Sequence, residues 1–360
     1  MTSPGAATPQ GLPAGTLAAM ATSVQANCDL ADALHAREKS MCTYLLGMRE
    51  YFRWASQLPL GAMPDRARLS EWIAQREREW DALHQRSDAA YDELPLAGGI
   101  DPFNEDAVNR ELQAQGLVYG AGLGLFGAPL FFLAQRESEQ VRDGIRVIVA
   151  GKELARGVTA APAASRGGTI VIRTDALRRW LWTRAEAARR SSHDAAFTRV
   201  LRAYDADSDA DMAVECMARG ETETLVLHEI GELRAGELLG DEWEEMLLAV
   251  DDRRTEVVLR AVRDLLADCL VTLPTLTARR AEASLLFLIA NFDGMRRALA
   301  PELSESFHLD ADRLDLAAIE GAASHGRQLW SDLAFDLLTA WRRGGAEAVR
   351  DETGRLATGQ

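Results

Sequence analysis

The chain has 360 residues, 47% hydrophobic and 26% charged, a balance that suits a globular protein of one large domain or two to three ordinary ones. Its formal charge of −15 argues against nucleic acid and anionic membrane surfaces as partners, because binding a phosphate backbone depends on cations that release its counterions. A membrane span is also excluded, since the longest apolar stretches, near Leu117–Leu133 and Leu285–Ile289, are broken by Gly, Pro or charge.

Residues 1–20 are rich in Ala, Gly, Pro and Thr and free of Lys and Arg, so they read as a disordered tail rather than a secretory signal, which needs a basic segment. The four cysteines, Cys28, Cys42, Cys216 and Cys269, form neither a disulfide framework nor a CxxC zinc pattern, and the expected location is cytoplasmic. From 22 to 56, Leu30, Leu34, Met41, Leu45, Met48 and Phe52 recur at helical spacing with no proline before Pro59, which predicts one long helix. A polar helix rich in Arg and Glu is expected over 67–92, and Pro95, Gly98, Gly99 and Pro102 then mark a boundary.

The texture changes between 117 and 175. LVYGAGLGLFGAPLFFLAQ holds two apolar runs around a Gly-rich turn, a β-hairpin pattern, and GIRVIVAG, ARGVTAA and GTIVIRT follow as short strands. Gly122, Gly124 and Gly127 match GxGxxG, yet Pro129 and Leu130–Leu133 stand where a dinucleotide site needs a helix N-terminus, so the segment reads as a hairpin turn. Asp175 is placed to cap the next helix, and helix then predominates to about 343, broken near Asp205–Asp211, Pro274, Pro301 and Asp310, with 346–360 expected to fray. The fold class is α+β, mainly α-helical, with one small antiparallel β-sheet in the middle of the chain. The expected regions are 21–98 (helical), 99–175 (β-rich) and 176–345 (helical), within one integrated globular unit.

One segment stands out as a site. On a helical wheel with His228 at the origin, Glu232 lies at about +40°, Glu221 at about +20°, Thr224 at about −40° and Gly231 at about −60°, whereas Val226, Ile230 and Leu233 lie opposite. Imidazole and carboxylate at i and i+4 can ligate one metal ion, and Gly231 would let another backbone approach that face. The pentapeptide His228-Glu229-Ile230-Gly231-Glu232 resembles the HExxH helix of zinc-dependent metallopeptidases, with Glu232 in place of the second histidine. The resemblance implies His228 as first ligand and Glu229 as general base. That family sets an edge strand beside its active-site helix, whereas here a whole predicted helix, 175–204, intervenes between the last strand and HEIGE. His308 and His325 are further histidines that could supply a third ligand.

Two other polar intrusions offer ligands. Cys28, His35 and Cys42 are spaced seven apart, about 10.5 Å along a helix, too far to share one ion, but His35 and Glu38 at i and i+3 can. Asp264 and Asp268 sit in an otherwise apolar helix, with Asn291 and Asp293 in the next; they are expected to form an ion-pair network with Arg260 and Arg263 and are a reserve of ligands. Taken together, CDLADALHAREKSMCTYLLGMREYFRW, LHEIGELRAGELLG and DCLVTLP are similar to an uncharacterised bacterial protein family over most of the chain, a resemblance that attaches no activity.

The leading expectation is a metal-dependent hydrolytic enzyme in which His228, Glu232, His35 and Glu38 bind a divalent Zn, Fe or Mn ion where two helix faces meet, with Glu229 as catalytic base. The alternatives are a non-catalytic assembly or accessory protein whose acidic faces bind a protein partner, and a helical di-metal oxidase. The oxidase needs ExxH on two helices, and Glu305 with His308 is the pair the sequence offers. Substrate, small-molecule or protein partner and oligomeric state are left open by the sequence.

Overall fold

The computed structural model describes residues 14–356 apart from 39, 86–89, 97, 125–126, 191–194, 207–208, 293 and 310–312. Helices α1 (Ala14–His35), α2 (Met41–Ala55), α3 (Arg66–His84) and α4 (Glu105–Leu112) precede strands β1 (Leu117–Leu123), β2 (Pro129–Arg142), β3 (Ile145–Arg156), β4 (Ala163–Arg166) and β5 (Thr169–Arg173). Then come α5 (Thr174–Arg190), α6 (Ala195–Ala203), α7 (Ala210–Leu239), α8 (Asp241–Ala249) and α9 (Arg253–Ala267). After a π-turn at Asp268–Thr272 the chain continues as α10 (Leu273–Ala278), α11 (Glu282–Ala290), α12 (Gly294–Leu299), α13 (Pro301–Glu305) and α14 (Leu316–Leu356). The fold is thus α+β and mainly helical, with one five-stranded sheet of order β1-β2-β3-β5-β4. No described helix is long and apolar enough to cross a membrane.

The chain divides into two compact units, one of residues 1–139, 148–162 and 173–179, the other of 140–147, 163–172 and 180–360. In the first, Met20, Val24 and Cys28 of α1 pack with Val108 and Leu112 of α4, Tyr119 of β1 and Phe131 and Leu133 of β2. Two expectations are corrected here. Met20 is fully buried and α1 already begins at Ala14, because the apolar stripe through Met20, Val24 and Cys28 starts inside the segment expected to be disordered; residues 1–13 lie outside the described residues. The helix expected over 22–56 is two helices: a 3-10 turn at Ala36–Glu38 ends the first, and the Ser40 hydroxyl, accepting from the Thr43 amide, caps the second. The Gly-rich segment is a hairpin turn, since β1 and β2 pair antiparallel from Leu117 opposite Gln135 to Leu123 opposite Pro129; Leu125 and Phe126 lie outside the described residues.

In the second unit, α7 is the central helix. Its Val226 is buried among Ile145, Val147, Ile170 and Ile172, with Ile230 and Leu233 packed beside it, so the apolar face read from the wheel lies on the sheet. The sheet is mixed rather than wholly antiparallel. β4 and β5 pair antiparallel, but β3 and β5 run the same way: the Arg146 amide donates to the Gly168 carbonyl and the Thr174 hydroxyl donates to the Ala150 carbonyl. The reason is the path of the chain, which leaves β3, runs as β4 along the edge, turns at Gly167-Gly168, both at positive φ, and returns as β5 between the two. The expected frayed end is also ordered to Leu356: α14 bends at Gly344-Gly345, and Val349 and Thr353, one helical turn apart, are buried beyond the bend.

Candidate metal centre

The face of α7 turned away from the sheet meets the end of α9, and a glycine sets how closely. A Cβ placed on Gly231 would lie 2.5 Å from the Ala267 carbonyl oxygen, so no other residue lets the two backbones come this near. The contact brings the last turn of α9 and the start of the π-turn over His228 and Glu232. His228 Nδ1 is 2.8 Å from Asp268 Oδ1, and its Nε2 is 3.3 Å from Glu232 Oε1. The Arg263 guanidinium donates to Glu232 Oε2 at 2.8 Å, which leaves Oε1 facing the imidazole. Asp264 completes the group: one ligand atom each from His228, Glu232 and Asp264 lie within 4.8 Å of one another, the set that could hold a metal ion among the described residues.

The π-turn shapes this arrangement. The Leu273 amide donates to the Asp268 carbonyl five residues back, widening the helix by one residue where Pro274 follows. Proline has no N–H for the Leu270 carbonyl and its ring would strike it, which gives the widening a local cause. Asp268 at the head of the turn is fully buried, with Oδ2 3.6 Å from Arg296.

The charges are strongly coupled. Burial lowers the His228 pKa, but the Asp268 charge and hydrogen bond and the Glu232 hydrogen bond outweigh it and hold the ring well above its usual value. Glu232 is held far below the usual carboxylate range: burial raises it, and the His228 hydrogen bond and the Arg263 charge overcome that. Asp264 is pushed up to about 6 by burial and then by the Glu232 charge. Glu229, also buried, is pushed up to about 7 by burial and the Glu232 charge, and its carboxylate accepts a hydrogen bond from Ser165 of β4. So β4, separated from α7 by two helices in sequence, lies beside it in space, and the strand-beside-helix pairing that the order of elements argued against is present.

Chemically, this is one imidazole and two carboxylates around a common point. Without an ion, these neighbours favour the imidazolium. An ion that displaced the Nε2 proton would leave a neutral His228 donating Nδ1–H to Asp268, its tautomer and ring orientation fixed and Nε2 turned toward the other two groups, as a carboxylate behind a histidine ligand imposes. A His/carboxylate set suits Zn, Fe or Mn.

The other expected site residues are placed as follows. His35 ends α1, half-buried, and the Glu38 side chain lies outside the described residues; both belong to the first compact unit, whereas His228 and Glu232 belong to the second. Glu221, which the wheel put beside His228, is seven residues away along α7 and sits in its own hydroxyl cage, accepting from Tyr204 and Thr224 at 2.7 Å and from Ser284 at 3.3 Å. Glu305 ends α13 and His308 follows it with a left-handed backbone (φ 42°), so the two do not share a helix; His325 is exposed. Asp293 lies outside the described residues. The third member of the cluster is legible in one respect: Asp264 and Asp268 repeat the i, i+4 spacing of His228 and Glu232, and Gly231 marks where a second helix can bring the two pairs together.

Fold and site together describe a mainly helical α+β protein with a His/carboxylate cluster between two helices. The chain belongs to a family of unknown function, DUF6866: the family's N-terminal domain matches residues 19–173 and its C-terminal domain residues 178–358. No curated protein and no solved structure matches it.

Proposed function

We propose that this chain is a metal-dependent hydrolytic enzyme in which His228, Glu232 and Asp264 hold one divalent transition-metal ion and Glu229 is the general base. The observation that carries this is the short Nδ1 contact of His228 with the fully buried Asp268, which commits Nε2 to the point where Glu232 and Asp264 converge. Asp264 takes the third-ligand place that His35 and Glu38 hold in the sequence expectation. The ion would supply Lewis-acid polarisation and acidify a water. Glu229, a buried carboxyl next to His228 in the chain, is the group that would accept a proton at one step and return it at the next. Hydrolysis then balances without redox: the water oxygen bonds to the electrophilic atom, the bond to the leaving group breaks, and the proton taken by Glu229 passes to that group. The four free cysteines suit a reducing, cytoplasmic setting.

The competing reading is a non-catalytic accessory protein in which the cluster is a structural charge network. It draws on Arg263 and Arg296, which neutralise Glu232 and Asp268. Metal analysis separates the two. The purified protein is expected to carry about one transition-metal equivalent per chain, lost in His228→Ala and kept in His84→Ala, at the exposed end of α3. Chelation should lower the melting temperature, because an ion at a hundredfold excess over its Kd stabilises the native state by about 2.7 kcal/mol. A chain that carries and takes up no metal, and whose melting ignores chelators, is the accessory protein.

A further inference from the structure

Glu221, near the middle of α7, is a carboxyl sealed from solvent, and its neighbours are hydroxyls. Its Oε1 accepts from the Tyr204 hydroxyl at 2.7 Å and from the Ser284 hydroxyl at 3.3 Å, and its Oε2 from the Thr224 hydroxyl at 2.7 Å. The cage draws on three elements: Tyr204 follows the last residue of α6, Thr224 lies one turn along α7, and Ser284 belongs to α11. Tyr204 is the one titratable group among these partners, and among the described residues no Arg, Lys or His acts on the carboxyl. Charges close by are committed elsewhere. Glu223 pairs with Arg142 and Arg279, Arg219 donates to the Glu215 carbonyl, and Glu282 of α11 pairs with Arg313.

Such surroundings suit the neutral acid. Protonated, Glu221 donates through Oε2 to the Thr224 oxygen, whose hydroxyl turns aside, while Oε1 still accepts from Tyr204 and Ser284. Ionised, it gains strength in all three hydrogen bonds, but hydroxyl dipoles do not replace the hydration that a full charge loses on burial. Burial accordingly outweighs the three hydrogen bonds and pushes the carboxyl above its ordinary value of 4.5. One side of the cage faces water. Gly220 is exposed, and a Cβ there would stand 2.5 Å from the Tyr204 hydroxyl oxygen, so this half-exposed tyrosine crosses the bare backbone of Gly220 to reach the carboxyl. Tyr204 is therefore the cover over Glu221, and any side chain at position 220 would block it.

We propose that Glu221 is a proton-held latch: with its proton it lies dry beneath Tyr204, and without it the Tyr204 ring leaves Gly220 and admits water between α6, α7 and α11. The latch draws on none of the metal-centre residues and stands apart from the hydrolytic reading. Its sign follows from the burial. Between the ordinary value and the raised one, the folded chain holds a proton that the unfolded chain has lost. Stability therefore falls as pH rises through that interval and levels off above it, which makes this an alkaline-responsive device.

Isotope-edited NMR on the full chain reads both halves of the latch. Glutamate carboxyl carbons report ionisation, with Glu221 assigned by its loss in Glu221→Gln. The rings of the five tyrosines report the cover, with Tyr204 assigned by Tyr204→Phe. Glu221 is expected to titrate above 4.5, and the Tyr204 signals to shift with the same midpoint, below the about pH 10 at which a phenol itself ionises. Glu221→Gln keeps a carbonyl oxygen for Tyr204 and has no proton to lose, so its Tyr204 signals should stay still over that range. In urea denaturation the folding constant of the wild type should fall by up to about tenfold per pH unit across the same interval, a slope that the Gln variant loses. A Glu221 that titrates at or below its ordinary value overturns the proposal, and so does one that titrates high beneath an unmoving Tyr204. A Tyr204 shift that persists in Glu221→Gln overturns it too. The Tyr204 reading needs only the wild type and Tyr204→Phe, so even where the Gln variant fails to fold, a wild-type Tyr204 that stays still below the phenol range refutes the latch.

Discussion

Substituting alanine at Gly231 tests whether the close approach of α7 and α9 builds the site. The new Cβ would meet the Ala267 carbonyl oxygen at 2.5 Å, its carbon at 2.9 Å and its Cα at 3.2 Å, all backbone atoms that cannot swing aside. An ordinary C···O contact is about 3.4 Å, so the helices must part by roughly 0.9 Å. A displacement of that size takes the 2.8 Å contact between His228 and Asp268 out of hydrogen-bonding range and spreads the candidate ligand atoms of His228, Glu232 and Asp264. Overpacking costs about 1–3 kcal/mol, and exchanging glycine for alanine inside a helix returns about 0.5–1 kcal/mol, leaving a net loss of up to about 2.5 kcal/mol. Gly236, on the same helix with open space at its Cβ, is the control, and Gly236→Ala should gain about 0.5–1 kcal/mol. Urea denaturation monitored by circular dichroism gives both values, and competition with a zinc indicator gives affinity, expected to drop about tenfold or more in Gly231→Ala alone. If Gly231→Ala matches or exceeds Gly236→Ala in stability and keeps wild-type zinc affinity, the close helix contact does not build the site.

Glu153 of β3, fully buried between Arg173 and Arg156, offers a pH test. Burial raises its pKa, but the two guanidinium charges outweigh it and hold the carboxyl below 4.5, so near that pH the unfolded chain binds more protons than the folded one. Its contribution is fully present above the unfolded value and is lost as pH falls through the folded one. Glu153→Gln should cost about 3–5 kcal/mol at neutral pH and flatten the acid limb of the stability profile, and an unchanged limb in urea titrations from neutral to acid pH would refute the assignment. Met20→Ala should lower the unfolding free energy by about 2–5 kcal/mol, since the side chain is fully buried; a loss under about 0.5 kcal/mol would mean that the start of α1 is not docked.

Much of this fold could be read along the chain because its signals are local. Apolar patterning placed β1, β2, β3 and β5, and helical periodicity placed α7 and its sheet-facing stripe of Val226, Ile230 and Leu233. The strand expected at ARGVTAA is instead the end of β3 and an irregular link, and β4 lies beyond it at Ala163–Arg166. What could not be read was set by pairing at a distance. Strand direction is not in the local pattern, so β5 returning parallel to β3 was invisible, as was β4 lying against Glu229. The polar face of α7 was recognisable, yet nothing in its own sequence says which other helix covers it. His35 and Glu38 had the right chemistry and spacing, but Asp264 is the residue that the Gly231–Ala267 contact brings to His228 and Glu232. The break between α1 and α2 was local and still missed, because a single capping hydroxyl, Ser40, overrode a periodicity that runs unbroken through it.

The widened turn at Asp268–Thr272 makes the centre sensitive to chain length as well as to side-chain identity. A π-turn is a helix carrying one surplus residue, and each helical residue turns the chain by about 100°. Deleting one residue there would let α9 and α10 fuse into an unbroken α-helix, with everything beyond the deletion swung by that angle. Either Asp268 would leave His228 or the buried Leu273 and Leu276 would leave the core. An ordinary helix therefore separates from this centre by a single codon, and a family member one residue shorter at this point would keep its bundle while losing the carboxylate that orients the histidine.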